Sequence, residues 1–539
     1  MSASSAPLAF AVLVDQFVRE QCQLDPITSS FLGLRDWDRV VPDTSAAGWR
    51  HRDDRRRFWI RAFEAVDATP STADRIDREL VLARLGAEMA NANFESWRRA
   101  PEPYCRDGVF EIFVHRGRPE PEAVAAAIAR LAHVPQTVAD AKANLTADLA
   151  HPVILTRGLG TVKGAAEFLR TEVGSFVSDP ALRAQLETAV APAAAAYDDL
   201  AAHIRTLTVI AHGSYAFGEQ RYDTLLRVGE QLGFTVQSLR EMGRIEYAGL
   251  DAEMGDVARR ISGTSDWKTA LASLQRRHAA DMPALLNDYR DATTRARRFI
   301  AERGLMTMPP DEGCAVQPAP AFLRAAVAVA SYFPPAPFIP GSRGTFNVPF
   351  TPDDATTQDM EDRLESNAHY GIAATTAHET YPGHHAHFAR IANASVLRQL
   401  LQSEYFTEGW ALYAEKMMSE QGFYRSDEEL LGQLAARIMR AARVVVDTSL
   451  HMGEMSIEQA ADFMRVQVGL PNAVARSEAE RYASWPGQAS SYMTGAIAIE
   501  GYRDRWLAER RGSLCDFHDA ITSSGALPLG LAARAIGLD

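Results

Sequence analysis

TTAHETYPGHHAHF, residues 375–388, holds four of the chain's fourteen histidines. It begins His378-Glu379, as a zinc-protease helix does, yet the position for the second histidine of H-E-x-x-H is Pro382. Two imidazoles on one helix can share a metal when they are spaced by four, because that spacing puts them on one face. Here the later histidines follow His378 at spacings of six (His384), seven (His385) and nine (His387). On a regular helix a spacing of six points roughly 120° away and ~9 Å along the axis. Seven returns to the face but at ~10.5 Å, too far for two ligands whose bonds to zinc are each ~2.0–2.1 Å.

Pro382 resolves the conflict. Its missing N–H and its ring both act on the carbonyl four residues back, which belongs to His378. Gly383 beside it permits backbone angles closed to other residues. Looping out two residues makes His384 the partner of His378, whereas looping out three selects His385. The reading favours His384 as the ligand and leaves His385 as a supporting or substrate-binding residue.

Working outward, SEYFTEGWALYAEKM (403–417) has helical spacing and carries three carboxylates, Glu404, Glu408 and Glu415. Glu408 lies between Phe406 and Trp410 in a segment apolar enough to be buried, and a buried carboxylate needs a partner such as a metal. Glu415, two turns on along the same face, suits an acceptor for a ligand histidine. Glu404 reads as a charge at the helix start. Further on, YASWPGQASSYMTGAIAIEGYRDRW (482–506) places Tyr492 in a helix of small residues, either as a core tyrosine or as a donor to a developing oxyanion. In RAARVVVDTSLHMG (440–453), Arg443, Asp447 and His451 share one helix face at spacings of four. A local Arg443–Asp447 pair is expected, with His451 directed to a cleft as a further catalytic candidate.

Apolar residues at three- and four-residue spacing dominate the chain, so the expected class is mainly α. The proline-dense YFPPAPFIPG (332–341) excludes helix, and SRGTFNVPF (342–350) reads as a small β element. A break in helical texture at 305–320 suggests a helical lobe over 1–310 and a lobe carrying the chemistry over 311–539. The formal charge of −13 argues against nucleic acid, whose phosphates need clustered Lys and Arg. No window is apolar enough for a membrane span, and no basic region precedes the apolar run near the N-terminus. The four cysteines are scattered without a C-x-x-C pair, so a reducing, cytoplasmic setting is the expectation.

HETYPGHH (378–385), EGWALYAE (408–415), VVDTSLH (445–451) and PGQASSY (486–492) together resemble the motifs of the bacterial "domain of unknown function 885" family. The resemblance runs along nearly the whole chain, from LDPITSSFLGLRDWDRVVPDTS (24–45) through PGSRGTFNVPF (340–350). The family is in turn similar to gluzincin peptidases such as carboxypeptidase Taq, thimet oligopeptidase and angiotensin-converting enzyme. That similarity implies a large two-lobed, zincin-like helical fold with a deep cleft. It implies a Zn2+ site built from His378, His384 and Glu408, with Glu379 as base and Tyr492 as oxyanion donor. One departure is Met493, where members of the family often carry lysine.

The resulting expectation is a zinc-dependent hydrolase of short peptides or small amides, as a monomer or homodimer. Arg343, on the possible strand before the metal helix, is a candidate to bind a substrate carboxylate. The rival readings are a metal-dependent hydrolase or lyase of a small non-peptide metabolite, and a metal-binding protein without catalysis. Glu379 argues against the last, since holding a metal does not require that base.

Overall fold

Spacing of apolar residues at three and four builds helices through most of the chain, and the protein is mainly α. The computed structural model describes residues 5–66, 71–114, 117–324 and 329–538. They form two compact units. The first comprises Met1–Gly229 with the short segments Ala336–Ser342 and Ser395–Leu401, and the second comprises the remainder. The textural break at 305–320 therefore falls within the second unit, between a helix ending at Arg303 and a strand starting at Ala315.

The first unit is held by helices whose inward faces are Ala, Val and Leu. Pro180–Ile210 packs along Pro152–Thr171, with Val162, Leu169, Leu186, Tyr197 and Leu200 all buried in the shared core. Asp179 starts the longer helix by accepting hydrogen bonds from the Ala181 and Leu182 amides, and Pro180 occupies the first turn, where its missing N–H costs nothing.

In the second unit we label the elements used below in chain order: α1 (Val236–Ser262), α2 (Met282–Arg303), β1 (Ala315–Pro318), β2 (Ser331–Phe333) and β3 (Thr345–Val348). They are followed by α3 (His369–Glu379), α4 (His384–Arg390), α5 (Glu404–Glu420), α6 (Asp427–His451), α7 (Asn472–Ser484) and α8 (Gln488–Ala508). The sheet has the order β1-β3-β2, with β3 parallel to β1 and antiparallel to β2. The strand read at 342–350 is thus the middle one. Its partners were not legible, because each is three or four residues long and flanked by proline.

α6 is the spine of this unit. Every residue from Ala441 to His451 is buried, and the helix packs on α1, α3 and α8. α5 and α8 approach more closely than ordinary side chains allow. A Cβ added to Gly409 would lie 2.4 Å from the Gly495 Cα, and one on Gly495 would lie 2.0 Å from the Tyr405 carbonyl oxygen. These two glycines let the backbones touch, which draws α8 and its Tyr492 in against the helix that carries Glu408.

Candidate metal centre

The helix that begins at His369 stops at Glu379, and a second begins at His384. Between them Tyr381–Pro382 is a cis peptide, and the Gly383 amide bonds to the Ala377 carbonyl at 3.0 Å. The Ala386 amide likewise reaches Thr380 at 3.1 Å. Both bonds run six residues back instead of the helical four, so the turn takes up two extra residues. Gly383 is needed there, since a Cβ would stand 1.8 Å from the His378 carbonyl oxygen. Trp410 secures the turn from α5 by donating its indole N–H to the Pro382 carbonyl at 2.8 Å.

The consequence is that His378 and His384 face each other, with ring centroids 4.8 Å apart at 87°. α5 supplies the third group. Ser403 caps its start by accepting from the Phe406 amide, which sets Glu408 one turn into the helix. Glu408 Oε2 lies 3.6 Å from His378 Nε2 and 3.4 Å from His384 Nε2. The same oxygen is buried without a hydrogen-bond partner. Those separations are too long for good hydrogen bonds. They match the spacing of donors around one small ion, because ligands ~2.0–2.2 Å from a tetrahedral centre stand roughly 3.3–3.6 Å apart. Two imidazoles and a carboxylate, all within 4.8 Å of one another, therefore fit a borderline divalent metal.

The surroundings orient these donors. Glu415, 1 % exposed, accepts a 2.8 Å hydrogen bond from His378 Nδ1. A carboxylate can only accept, so the proton sits on Nδ1 and the Nε2 lone pair is directed at the cluster. In the protein without metal, burial disfavours charge on His378, but Glu408 and Glu415 outweigh it and raise its pKa to about 9. Desolvation would raise the carboxyl of the half-buried Glu408, yet the two histidines hold it well below the usual range. The two carboxylates thus favour positive charge at this point of the structure.

Glu379 is half-buried at the C-terminal end of α3. Burial pushes its pKa up, opposed by His378 and His384, while Glu408 adds to the rise and Arg440 opposes it. Tyr492 stacks beside His378, with centroids 6.3 Å apart at 17°. Its hydroxyl is pushed up to about 12, by burial first and then by Glu408, so it remains a donor at neutral pH. Gln488 approaches the phenol oxygen at 3.4 Å and donates, which leaves the phenolic hydrogen for another acceptor.

Three further residues read as functional from the sequence are placed as follows. His385 is buried, its Nε2 bonds Glu312 at 2.9 Å and its Nδ1 meets the Tyr332 hydroxyl at 3.0 Å, so both nitrogens are engaged within the protein. The two-residue excursion turns its ring toward Glu312, on the segment before β1, and away from the Glu408 side. His451 does not face a cleft. It is completely buried and its Nε2 donates to the Tyr482 carbonyl at 3.0 Å, because α6 is enclosed on all sides at that end. Arg343 is exposed just before β3 and has no ion-pair partner among the described residues.

Arg443 also departs from expectation. Its carboxylate is Glu478 on α7 at 3.0 Å, with the Tyr482 hydroxyl accepting from Nε at 3.0 Å, and Asp447 instead accepts from the Gly487 amide. A helix buried on every side finds partners on its neighbours more readily than along its own face. Met493 is completely buried, so the departure from lysine falls at a core position. Missed in the sequence were Glu312, in an irregular stretch with no periodicity, and Arg440, passed over in favour of Arg443 three residues on.

Fold and site together define a mainly helical protein with a His–His–Glu donor set, two buried imidazoles and a half-buried carboxylate, on three helices. The chain matches the family described as bacterial protein of unknown function (DUF885) over residues 26–536, and it belongs to that family. Two solved structures share the fold. A candidate lipoprotein of unknown function from Shewanella oneidensis is 20% identical with a TM-score of 0.80, covering 97% of this chain and 99% of that one. A candidate lipoprotein from Colwellia psychrerythraea is 20% identical with a TM-score of 0.82, covering 99% of this chain and 98% of that one. No curated protein matches the sequence. Among the described residues no helix is long and apolar enough to cross a membrane.

Proposed function

We propose that the protein is a zinc-dependent hydrolase that cleaves peptide or amide bonds of short substrates, with a site of the gluzincin kind. The observation that carries this reading is Glu408 Oε2, buried without a hydrogen-bond partner and 3.4–3.6 Å from two imidazole nitrogens. A protein does not normally bury an acceptor this way unless something else completes it. His378, His384 and Glu408 would hold the ion, and Glu415 would fix the His378 ring.

Zinc bound there supplies positive charge that polarises a carbonyl and makes water a nucleophile at neutral pH. The remaining steps belong to this chain. Glu379, next to a ligand and with its carboxyl pKa raised by burial, takes the proton of the attacking water at a carboxylate oxygen. It then passes that proton to the departing nitrogen. Tyr492 directs its O–H at the oxygen that becomes negative as the carbonyl carbon turns tetrahedral, a charge that develops only in the transition state.

The test is Glu379→Gln, assayed with a short-peptide library by mass spectrometry. The variant should retain about one zinc per chain. Its kcat should fall by roughly 10²- to 10⁴-fold, the span expected for a lost general base. Undiminished turnover in a metal-loaded Glu379→Gln protein would remove the base from this mechanism. A wild-type protein that holds zinc and cuts no peptide or amide would remove the hydrolase reading itself.

A further inference from the structure

Two arginines one helical turn apart on α6 flank the same tyrosine. Arg443 Cζ lies 5.2 Å from the Tyr492 ring centroid and Arg440 Cζ lies 5.6 Å from it. Their other contacts differ completely. Arg443 is buried and neutralised by Glu478, with the Tyr482 hydroxyl completing its fork. Arg440 donates Nη1 to the Ala436 carbonyl of its own helix at 3.1 Å, its Nε is buried without a hydrogen-bond partner, and no carboxylate among the described residues ion-pairs with it. Its charge is felt by two groups at the metal centre, Glu379 and Tyr492.

A guanidinium is always charged and offers five donors in a planar fork that matches a carboxylate. Where such a group is withdrawn from water proteins supply it with a partner, and the buried Nε of Arg440 has none. Arg443 shows the ordinary solution a few ångströms away. Arg440 has nothing equivalent, although the side chain is only partly exposed and stands against the catalytic tyrosine. Glu379 does not fill the role, since it forms no ion pair with Arg440 among the described residues.

We infer that Arg440 is a specificity-determining residue that receives a free carboxylate of the substrate, so that the enzyme acts on peptides or acylated amino acids at their C-terminal end. This rests on the hydrolase reading above. The carboxylate belongs to the departing side of the scissile amide. Arg440 stands beside Tyr492, which addresses the carbonyl oxygen, and in electrostatic reach of Glu379, which hands its proton to the departing nitrogen.

The experiment compares zinc-loaded wild type, Arg440→Met and Arg440→Lys on an N-acylated dipeptide with a free C-terminus and on the same dipeptide as its C-terminal amide. Wild type should favour the free acid by roughly 10- to 100-fold in kcat/KM, the range for a charge-assisted pair in a partly buried site. Arg440→Met should bring that ratio close to one. Arg440→Lys should restore part of it, because charge survives while the fork is lost. Circular dichroism and melting point on each variant establish that it is folded. An equal fall on acid and amide, with the ratio preserved, would make Arg440 a support for Tyr492 and overturn the inference. So would a wild type that cleaves both substrates equally well, and the hydrolase reading would then stand without it. Cleavage of neither substrate, nor of any library peptide, would count against the hydrolase reading instead.

Discussion

The Glu415–His378 and Glu312–His385 pairs both lie in the second unit, and they end differently. Glu415 holds His378 at Nδ1, and the other nitrogen opens onto a third group at a distance that makes no hydrogen bond. Glu312 holds His385 at Nε2, and the other nitrogen is closed by the Tyr332 hydroxyl. Both histidines are buried, both carboxylates are nearly inaccessible, and His385 directly follows His384 in the chain. The difference is the remainder. The first pair leaves donor atoms converging on one another unsatisfied, whereas every polar atom of the second imidazole is answered by the protein. Burial and charge alone do not mark a metal centre; what sets the first pair apart is that its unanswered atoms converge with those of two further ligand-type residues.

The largest effect expected from this contrast is catalytic and falls on the open side. Tyr492→Phe keeps the ring against His378 and removes only the hydroxyl. If that hydroxyl serves the oxyanion, kcat and kcat/KM fall together by roughly 10- to 1,000-fold with KM nearly unchanged. The melting point should move little. Unchanged turnover would reduce Tyr492 to packing between His378 and the two arginines.

The two carboxylates themselves provide the next contrast. Glu415→Gln should weaken zinc affinity by roughly 10- to 100-fold, the usual effect of removing the partner that orients a ligand histidine. Glu312→Gln should leave zinc affinity alone and act on stability instead. In the folded protein burial raises the Glu312 pKa, but His385, Tyr381 and Arg297 outweigh it and hold it down to about 2, against an ordinary 4.5. A depressed carboxyl stabilises the fold above its unfolded pKa and loses that contribution as pH falls toward the folded value. Wild type should therefore lose melting temperature between about pH 4.5 and 2 more steeply than Glu312→Gln. Parallel curves, or a zinc affinity that falls in both variants, would erase the distinction between the pairs.

Much of the open side was legible in the sequence. His378 and Glu379 stand out by type, Pro382 and Gly383 announce an excursion of the backbone, and Glu408 sits between aromatic residues where a carboxylate needs a reason. Glu415 follows from helical spacing, and its bond to His378 is where that spacing puts it. What was not legible depends on neighbours remote in sequence. Glu312 lies in an irregular stretch, so nothing periodic ties it to His385, and the ring looked available. His451 looked exposed only because the enclosure of α6 by other helices has no local signature. Arg440 and Arg443 are the same residue type on one face, and only the position of Glu478 on α7 separates them. The helical class was plain from spacing, while the partners of β3 were too short to give any pattern.

The central claim is that the two-residue excursion at Pro382 makes His384, and not His385, the companion of His378 and Glu408. Metal analysis decides it directly, on protein loaded with zinc and dialysed against metal-free buffer. Wild type and His385→Ala should each retain about one zinc per chain, and His384→Ala and Glu408→Ala should retain less than about a tenth of that. Zinc kept by His384→Ala and lost by His385→Ala would contradict the account, whatever the catalytic rates of the four proteins.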